Sequence, residues 1–398
     1  MLKSTSRLIL YRFIINALMI VLVFFPIFDN PFEGWDDMGW IRDVEKRNSL
    51  STIFHPTLIT GNEGTDTSFV PIQSIIYLFI VKAFGNHALP FHVLSLILHF
   101  LAGIMVFFTA NHFLKSREWS FFCLLYFTFS RGNYHVVSWV CAGIAHSFPL
   151  ILLLGSFLSF AKYIYTPKFR YYILSLLSYL IAQFTKETTS ILVAVLPLYE
   201  FLFFRLSLSS ENRDSLLERK ITEFGAYSKV FMLRTLKYIP FLIIFLSAVF
   251  IQTLKYKTGH VNTSFGGMDF GIRLPLRLLD FLSLQLAPVN DNLNFRLLLM
   301  GMIIFFVAFV FKKNITDQTI VFLLIWLILM QLPFTISNFR PILGLTRYLY
   351  LPSVPFIILV SLLFQKLLKK FSSFRLELVT AMLIFIITHI ILTIRAVH

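Results

Sequence analysis

The sequence predicts an all-α polytopic membrane protein, and three observations lead to this fold class. Of 398 residues, 57% are hydrophobic and only 14% are charged, whereas a soluble domain has about 45–50% apolar and about 25% charged residues. Apolar runs recur that are about 20 residues long, enough for a helix to cross roughly 30 Å of hydrocarbon. The runs are continuous rather than alternating, which favours helices over a barrel.

The apolar runs predict about eleven spans in one transmembrane domain that covers residues 1–398. The N-terminus is short and basic, and no signal-peptide cleavage site follows the first run, so that run is predicted to be an uncleaved span. Two further stretches, 69–84 and 271–288, are predicted to be helices lying at the outer interface. The predicted spans are 8–28, 90–113, 119–132, 137–162, 170–184, 188–206, 237–255, 294–312, 318–337, 348–365 and 375–395.

The charges predict the orientation of these spans. The formal net charge is +15, but the basic residues lie in short clusters between spans and form no single basic face, which excludes nucleic-acid binding. Clusters on alternate loops place the N-terminus and loop 207–236 in the cytoplasm and the C-terminus outside. The acidic stretch 29–68, part of a predicted outer loop 29–89, then lies outside. Cys123 and Cys141 are predicted to be small buried hydrophobes.

Ionisable groups beside or within the spans are predicted to gather toward the outer face. Such groups are costly at membrane depth and usually face a cavity or a partner. Structural alternatives remain open: Asp36 or Asp37 could cap a helix, His92 and His99 could be packed and hydrogen-bonded, and Arg347 could anchor to lipid. The set comprises Asp36, Asp37, His92, His99, Arg131, His135, Lys186, Glu187, Arg340 and Arg347.

These residue types suit group transfer at the outer surface of a membrane. A carboxylate can accept the proton of an attacking hydroxyl, and Lys186, Arg340 and Arg347 can hold a phosphate as negative charge builds on it. An apolar surround would admit a long lipid tail. A lipid-phosphate sugar fits these features, and the chain has no glycine-rich nucleotide loop.

Four stretches resemble the GT-C superfamily of integral-membrane glycosyltransferases, and within it the tetratricopeptide-linked O-mannosyltransferases and their bacterial relatives. The segment 32–41 is similar to a Trp-Asp-Asp segment of that branch. Phe69-Val70-Pro71 with His92 and His99 resembles its Pro-led helix and His-x6-His helix. Thr185-Lys186-Glu187-Thr188 resembles a Thr-Lys-Glu-Thr turn, and Arg347-Tyr348-Leu349-Tyr350-Leu351-Pro352-Ser353 resembles an Arg-x-Leu-Tyr-Leu-Pro-Ser signature.

The resemblance implies a GT-C transmembrane core that transfers a sugar from a polyprenyl-phosphate donor to a lipid, glycan or protein acceptor. It implies an integral protein of the bacterial inner (plasma) membrane with its active site outside. Asp36 or Asp37 would be the general base, and Lys186, Arg347 and Tyr350 would face the donor phosphate. Glu187, Arg340, His92 and His135 complete the predicted substrate-binding set. The Asp pair could also hold Mg²⁺ or Mn²⁺.

Departures from the branch keep two other functions open. Val70 stands where the branch often has Arg, His135 where it has Glu, and Thr346 where an acidic residue often precedes the last motif. The alternatives are a surface-polysaccharide polymerase or ligase, and a non-catalytic lipid-binding or transport scaffold. The first usually carries a long basic outer loop late in the chain, and the second expects inverted repeats.

Overall fold

All regular structure in the described residues is helical, which confirms the predicted all-α class. The computed structural model describes residues 2–32, 34–47, 49–53, 69–205, 235–257, 274–286, 301, 317–336, 343–371, 373 and 375–397. The helices are α1 (Leu2–Phe24), α2 (Gly34–Arg47), α3 (Leu50–Ile53), α4 (Pro71–Phe84), α5 (Ala88–Leu114), α6 (Arg117–Phe129), α7 (Tyr134–Ser138), α8 (Val140–Tyr165), α9 (Phe169–Gln183), α10 (Leu192–Glu200), α11 (Ile239–Lys257), α12 (Leu274–Leu286), α13 (Gln318–Ile336), α14 (Ser353–Lys370) and α15 (Arg375–Val397).

Short 3-10 and π segments join several of these helices. A 3-10 turn extends α1, where Pro26 lies in its first positions, and Pro is favoured there because that N–H needs no helical partner. Further 3-10 turns precede α7, α10 and α14, and a π segment extends α10. Their bounds are Phe25–Asp29, Arg131–Asn133, Glu187–Ile191, Leu343–Leu349 and, for the π segment, Phe201–Arg205.

Five helical segments among the described residues are long and apolar enough to cross a membrane. They are Arg7–Asp29, Ala88–Leu114, Val140–Tyr165, Gln318–Thr335 and Val379–Val397. Their number and length indicate a membrane protein.

The predicted count of eleven spans stays a prediction. The predicted spans 119–132 and 170–184 correspond to α6 and α9, with 13 and 15 residues. At about 1.5 Å per residue they are roughly 20–22 Å long, shorter than a bilayer core. The predicted span 294–312 lies outside the described residues except for Gly301. The two stretches predicted at the outer interface contain helices α4 and α12.

The helix ends meet in two groups, as expected of antiparallel neighbours. At one end the Asn30 carbonyl accepts from His92 Nε2, and the Ile72 amide donates to the Phe184 carbonyl. At the other end Lys237 Nζ lies 2.6 Å from Glu200 Oε2, and Lys366 pairs with Asp317. We name these ends the His92 face and the Lys366 face. The orientation of the spans that the charge pattern predicts stays a prediction.

Helices α5, α6 and α8 pack closely because small residues lie where they cross. A Cβ atom added to Gly143 of α8 would lie 1.9 Å from Ser95 Oγ and 2.5 Å from Ser95 Cβ of α5, and one on Gly103 would lie 2.8 Å from Leu124 Cδ1 of α6. Glycine lets helix backbones approach closely in a membrane bundle. Both cysteines are buried, as predicted: Cys123 is 0% and Cys141 7% exposed.

Gly143→Ala is expected to destabilise the protein, because the new methyl group would overlap Ser95. Overpacking of this kind costs about 1–3 kcal/mol, which a lower melting temperature of the detergent-purified protein would report. Gly155→Ala is the matched control on the same helix, since its nearest neighbour would be Met105 Cε at 3.8 Å. Equal melting temperatures for the two variants would contradict the close crossing of α5 and α8.

Candidate functional site

Asp37 caps the N-terminus of α8. Its side chain is 1% exposed, and its Oδ1 accepts a 2.8 Å hydrogen bond from the backbone N–H of Cys141. Cys141 is the second residue of α8, so its N–H is one of the orphan donors of the first helical turn. A carboxylate at this point also interacts favourably with the positive end of the helix dipole. Asp37 therefore caps a helix, which is one of the structural alternatives left open by the sequence. The helix that it caps begins about 100 residues further along the chain.

Aromatic contacts fix α2 against the start of α8. The Tyr77 hydroxyl donates to the Val140 carbonyl at 3.3 Å, and Trp40 of α2 stacks on the Tyr77 ring with centroids 5.7 Å apart. Tyr77 is fully buried. Asp36 lies one position before Asp37 in the first turns of α2, and its side chain lies outside the described residues.

Lys186 lies in a turn that its own polar neighbours hold. The Lys186 amide donates to the Ala182 carbonyl at 2.9 Å, and the Lys186 carbonyl accepts from Thr189 Oγ1 at 2.8 Å. These bonds explain the threonine on this turn. Lys186 Nζ lies 3.3 Å from Glu187 Oε1, with the two side chains 20% and 47% exposed.

Lys186 stays cationic at neutral pH. Burial by itself lowers the pKa of Lys186, but the Glu187 carboxylate and the Tyr348 phenol raise it more, and Arg347 opposes them. The net pKa therefore lies above the usual value for lysine.

Arg347 stacks on the residue that precedes α8. Its guanidinium carbon lies 4.1 Å from the centre of the Trp139 ring and 5.1 Å from that of Tyr348, within the range of a cation–π contact. Arg347 and Lys186 lie close enough to interact electrostatically with each other and with His146. Two cations are thus brought together beside the helix end that Asp37 caps.

Tyr350 belongs to a buried hydrogen-bond network. Its hydroxyl lies 2.9 Å from His99 Nδ1 and accepts from Ser147 Oγ at 3.0 Å. His99 Nε2 lies 3.0 Å from the Thr128 carbonyl, which can only accept. In a neutral ring Nδ1 is then the acceptor, so the Tyr350 hydroxyl donates to His99. With its hydroxyl held by α5 and α8, Tyr350 positions the segment that carries Arg347.

Tyr350→Phe is expected to lower stability by about 1–3 kcal/mol, because it leaves His99 Nδ1 buried without its donor. The measurement is the melting temperature in detergent, with Tyr11→Phe, at a residue 60% exposed, as the control. If the two variants melt alike, the network does not hold this segment.

The remaining predicted residues occupy separate places. His92 is buried and holds the Asn30 carbonyl at 3.2 Å, so it joins α5 to the end of the first span. His135 lies in α7, with its ring 6.3 Å from that of Trp139. Arg131 donates to the Leu392 carbonyl at 3.3 Å, near the C-terminal end of α15. Arg340 lies outside the described residues.

The sequence prediction did not include Trp139 or His146 as site residues. A Trp at the start of an apolar helix is typical of a membrane interface, and a His inside a span is costly, so both carried a usable signal.

No three His, Cys, Asp or Glu side chains gather into a possible metal site within the described ranges. The predicted alternative of Mg²⁺ or Mn²⁺ at the Asp pair stays a prediction, because the Asp36 side chain is outside those ranges. Comparisons with protein-family models, curated proteins and solved structures find no match to this chain.

Proposed function

We propose that the protein is a membrane glycosyltransferase that moves a sugar from a polyprenyl-phosphate donor to an acceptor outside the membrane. One observation carries the proposal. Three segments far apart in sequence meet at the N-terminus of α8: Asp37 bonds to Cys141, Arg347 stacks on Trp139, and Lys186 lies beside Arg347. They belong to three of the four stretches that resemble the GT-C superfamily.

The two cations supply the binding site for the donor phosphate. Lys186 and Arg347 repel each other, and an anion between them would relieve that repulsion. A guanidinium suits a phosphate because it can donate two parallel hydrogen bonds. Glu187 balances part of the charge, with its carboxylate 3.3 Å from Lys186 Nζ. Lys186, Arg347 and Glu187 together keep one positive charge, and the Asp37 carboxylate is already bonded to the end of α8.

Asp36 is the proposed base, since Asp37 is committed to the end of α8. The acceptor hydroxyl oxygen attacks the anomeric carbon, and its proton passes to the Asp36 carboxylate. The bond between the anomeric carbon and the phosphate oxygen breaks, which releases polyprenyl phosphate. Lys186 and Arg347 stabilise the charge gained by that leaving group.

The proposal includes an eleven-span GT-C core in a bacterial inner membrane, with the His92 face outside. The packing of alternate helix ends into two groups supports this layout. The basic residues at the Lys366 face, such as Lys115, Lys162 and Lys366, fit a cytoplasmic surface.

The capping role of Asp37 favours one second candidate, a scaffold that binds a lipid phosphate without turnover. In that case Asp37 stabilises α8, and Lys186 with Arg347 binds the phosphate with no base beside it. The candidates differ in whether product forms.

The test is transfer by the purified full chain in liposomes supplied with radiolabelled polyprenyl-phosphate sugars and with membrane extract as acceptor. Wild-type protein should release polyprenyl phosphate and label an acceptor, and Asp36→Asn should not. Asp29→Asn, an exposed acidic residue at the same face, is the matched control. Donor binding without release by the wild type would support the scaffold.

A further inference from the structure

A cavity lies at the opposite end of the helices from Asp37, Lys186 and Arg347. It has a volume of about 1090 Å³ and opens at the Lys366 face, between the ends of α5 and α8 and the start of α6. Its rim carries Lys115, Arg117 and Lys162. The proposed transfer reaction uses none of these residues.

The rim has an excess of positive charge. In the part of the chain that the structure describes, none of the three cations forms an ion pair. Lys162 instead lies over the Tyr171 ring at 4.5 Å. The nearby Glu118 interacts electrostatically with Arg117, and its carboxylate accepts from Ser116 Oγ at 3.0 Å. Among the residues that the structure describes, this one carboxylate does not balance the three cations of the rim.

Favourable interactions with helix dipoles explain the positions of only some of the three cations on this rim. Lys162 lies in the last turn of α8 and Lys115 just after α5, where cations are favourable. Arg117 is the first residue of α6, where the dipole disfavours a cation. Lys115 also adopts a left-handed backbone, with φ of 52°, at a helix end where glycine is preferred. The helix dipole therefore does not favour Arg117, and the backbone conformation does not favour Lys115. Both residues nevertheless add positive charge to the rim.

The cavity becomes apolar with depth. Phe108 and Leu158 line it six and seven residues before the ends of α5 and α8, which places them roughly 9–10 Å from those ends. Phe108 is 47% exposed. His112 lies between Phe108 and the rim, and its Nε2 is already bonded inside the protein, 2.7 Å from the Tyr199 hydroxyl. Cations at the rim above apolar walls match an amphiphile with a phosphate head.

We propose that this cavity binds an anionic phospholipid, with its phosphate among Lys115, Arg117 and Lys162 and an acyl chain along Phe108 and Leu158. Both α5 and α8 are candidate spans, so a lipid could enter from the bilayer. The inference does not depend on the proposed transferase activity.

The test measures binding to the full chain in neutral detergent, from the rise in melting temperature as ligand is added. Dioctanoyl phosphatidylglycerol should stabilise the wild type. Arg117→Gln and Lys162→Gln should each weaken that binding about fivefold, the factor for about 1 kcal/mol per cation. Lys162→Arg should keep it, and so should Lys369→Gln, an exposed cation at the same face outside the cavity.

Two other ligands test whether the phosphate head or the acyl chains of phosphatidylglycerol cause the stabilisation. Glycerol 3-phosphate carries the head without the chains, and dioctanoyl phosphatidylcholine carries the chains with a neutral head. Both should stabilise the protein much less than phosphatidylglycerol. An equal effect of glycerol 3-phosphate would show a site for soluble phosphate, and an equal effect of phosphatidylcholine would show that the cations are not recognised. Either result overturns the proposal, as does unchanged binding in both Gln variants.

Discussion

Asp36→Asn should reduce sugar transfer by about 10²- to 10⁴-fold, the usual contribution of a general base, with little change in the melting temperature. Asparagine keeps the size of the side chain but cannot accept the proton of the acceptor hydroxyl. The loss should appear in kcat, because the donor phosphate contacts do not involve this carboxylate. The measurement is initial transfer rate over a range of donor concentrations.

Asp37→Ala should show the opposite pattern, with reduced stability as its primary effect. It removes a buried carboxylate that accepts from the Cys141 N–H at 2.8 Å. Loss of a helix cap costs about 0.5–2 kcal/mol, and burial of this hydrogen bond favours the upper part of that range. Asp37→Asn should be milder, since an amide oxygen can still accept.

Comparison of the two positions separates catalysis from capping. If Asp37→Asn abolishes transfer at an unchanged melting temperature while Asp36→Asn is active, the roles are reversed. If Asp36→Asn and Asp37→Asn both transfer at the wild-type rate, the glycosyltransferase proposal is wrong. Asp29→Asn should match the wild type in both measurements.

The all-α fold class was predictable because the apolar residues of each membrane-spanning helix are consecutive in the sequence. The runs that contain Ala88–Leu114 and Val140–Tyr165 are apolar over more than a bilayer thickness, so their helices follow from sequence alone. The ends of the shorter helices were less predictable. Arg117–Phe129 is bounded by the Ser116 cap and by the 3-10 turn at Arg131, which are local bonds that a hydropathy average does not record.

The site was only partly predictable, because its geometry depends on tertiary contacts. Lys186 and Arg347 were selected as costly charges near spans, and the structure brings them together. The hydrogen bond between Asp37 and the Cys141 backbone could not be predicted, because almost every residue has a backbone N–H and the residue type does not show which one is bonded. Tyr350 carries a hydroxyl that suits a phosphate, yet it bonds to His99 and Ser147.

Arg347→Gln should lower kcat/KM for transfer by about 10²- to 10³-fold, the usual loss of one stabilising group at a developing oxyanion. Arg347→Lys should recover only part of it, because lysine keeps the charge but not the paired donors or the flat face that stacks on Trp139. Arg170→Gln, at an exposed residue near the Lys366 face, should have no effect.

Lys186→Gln tests whether Lys186 and Arg347 bind the same phosphate. If they do, the double variant with Arg347→Gln should lose less activity than the product of the two single losses, because the groups share one ligand and interact with each other. Since the pKa of Lys186 is raised, its charge persists as pH rises from 6 to about 9, and the activity should show no alkaline loss from this residue there. If the activity loss of the double variant equals the product of the two single losses, the cations act at separate sites. The proposal that both bind the donor phosphate would then be wrong.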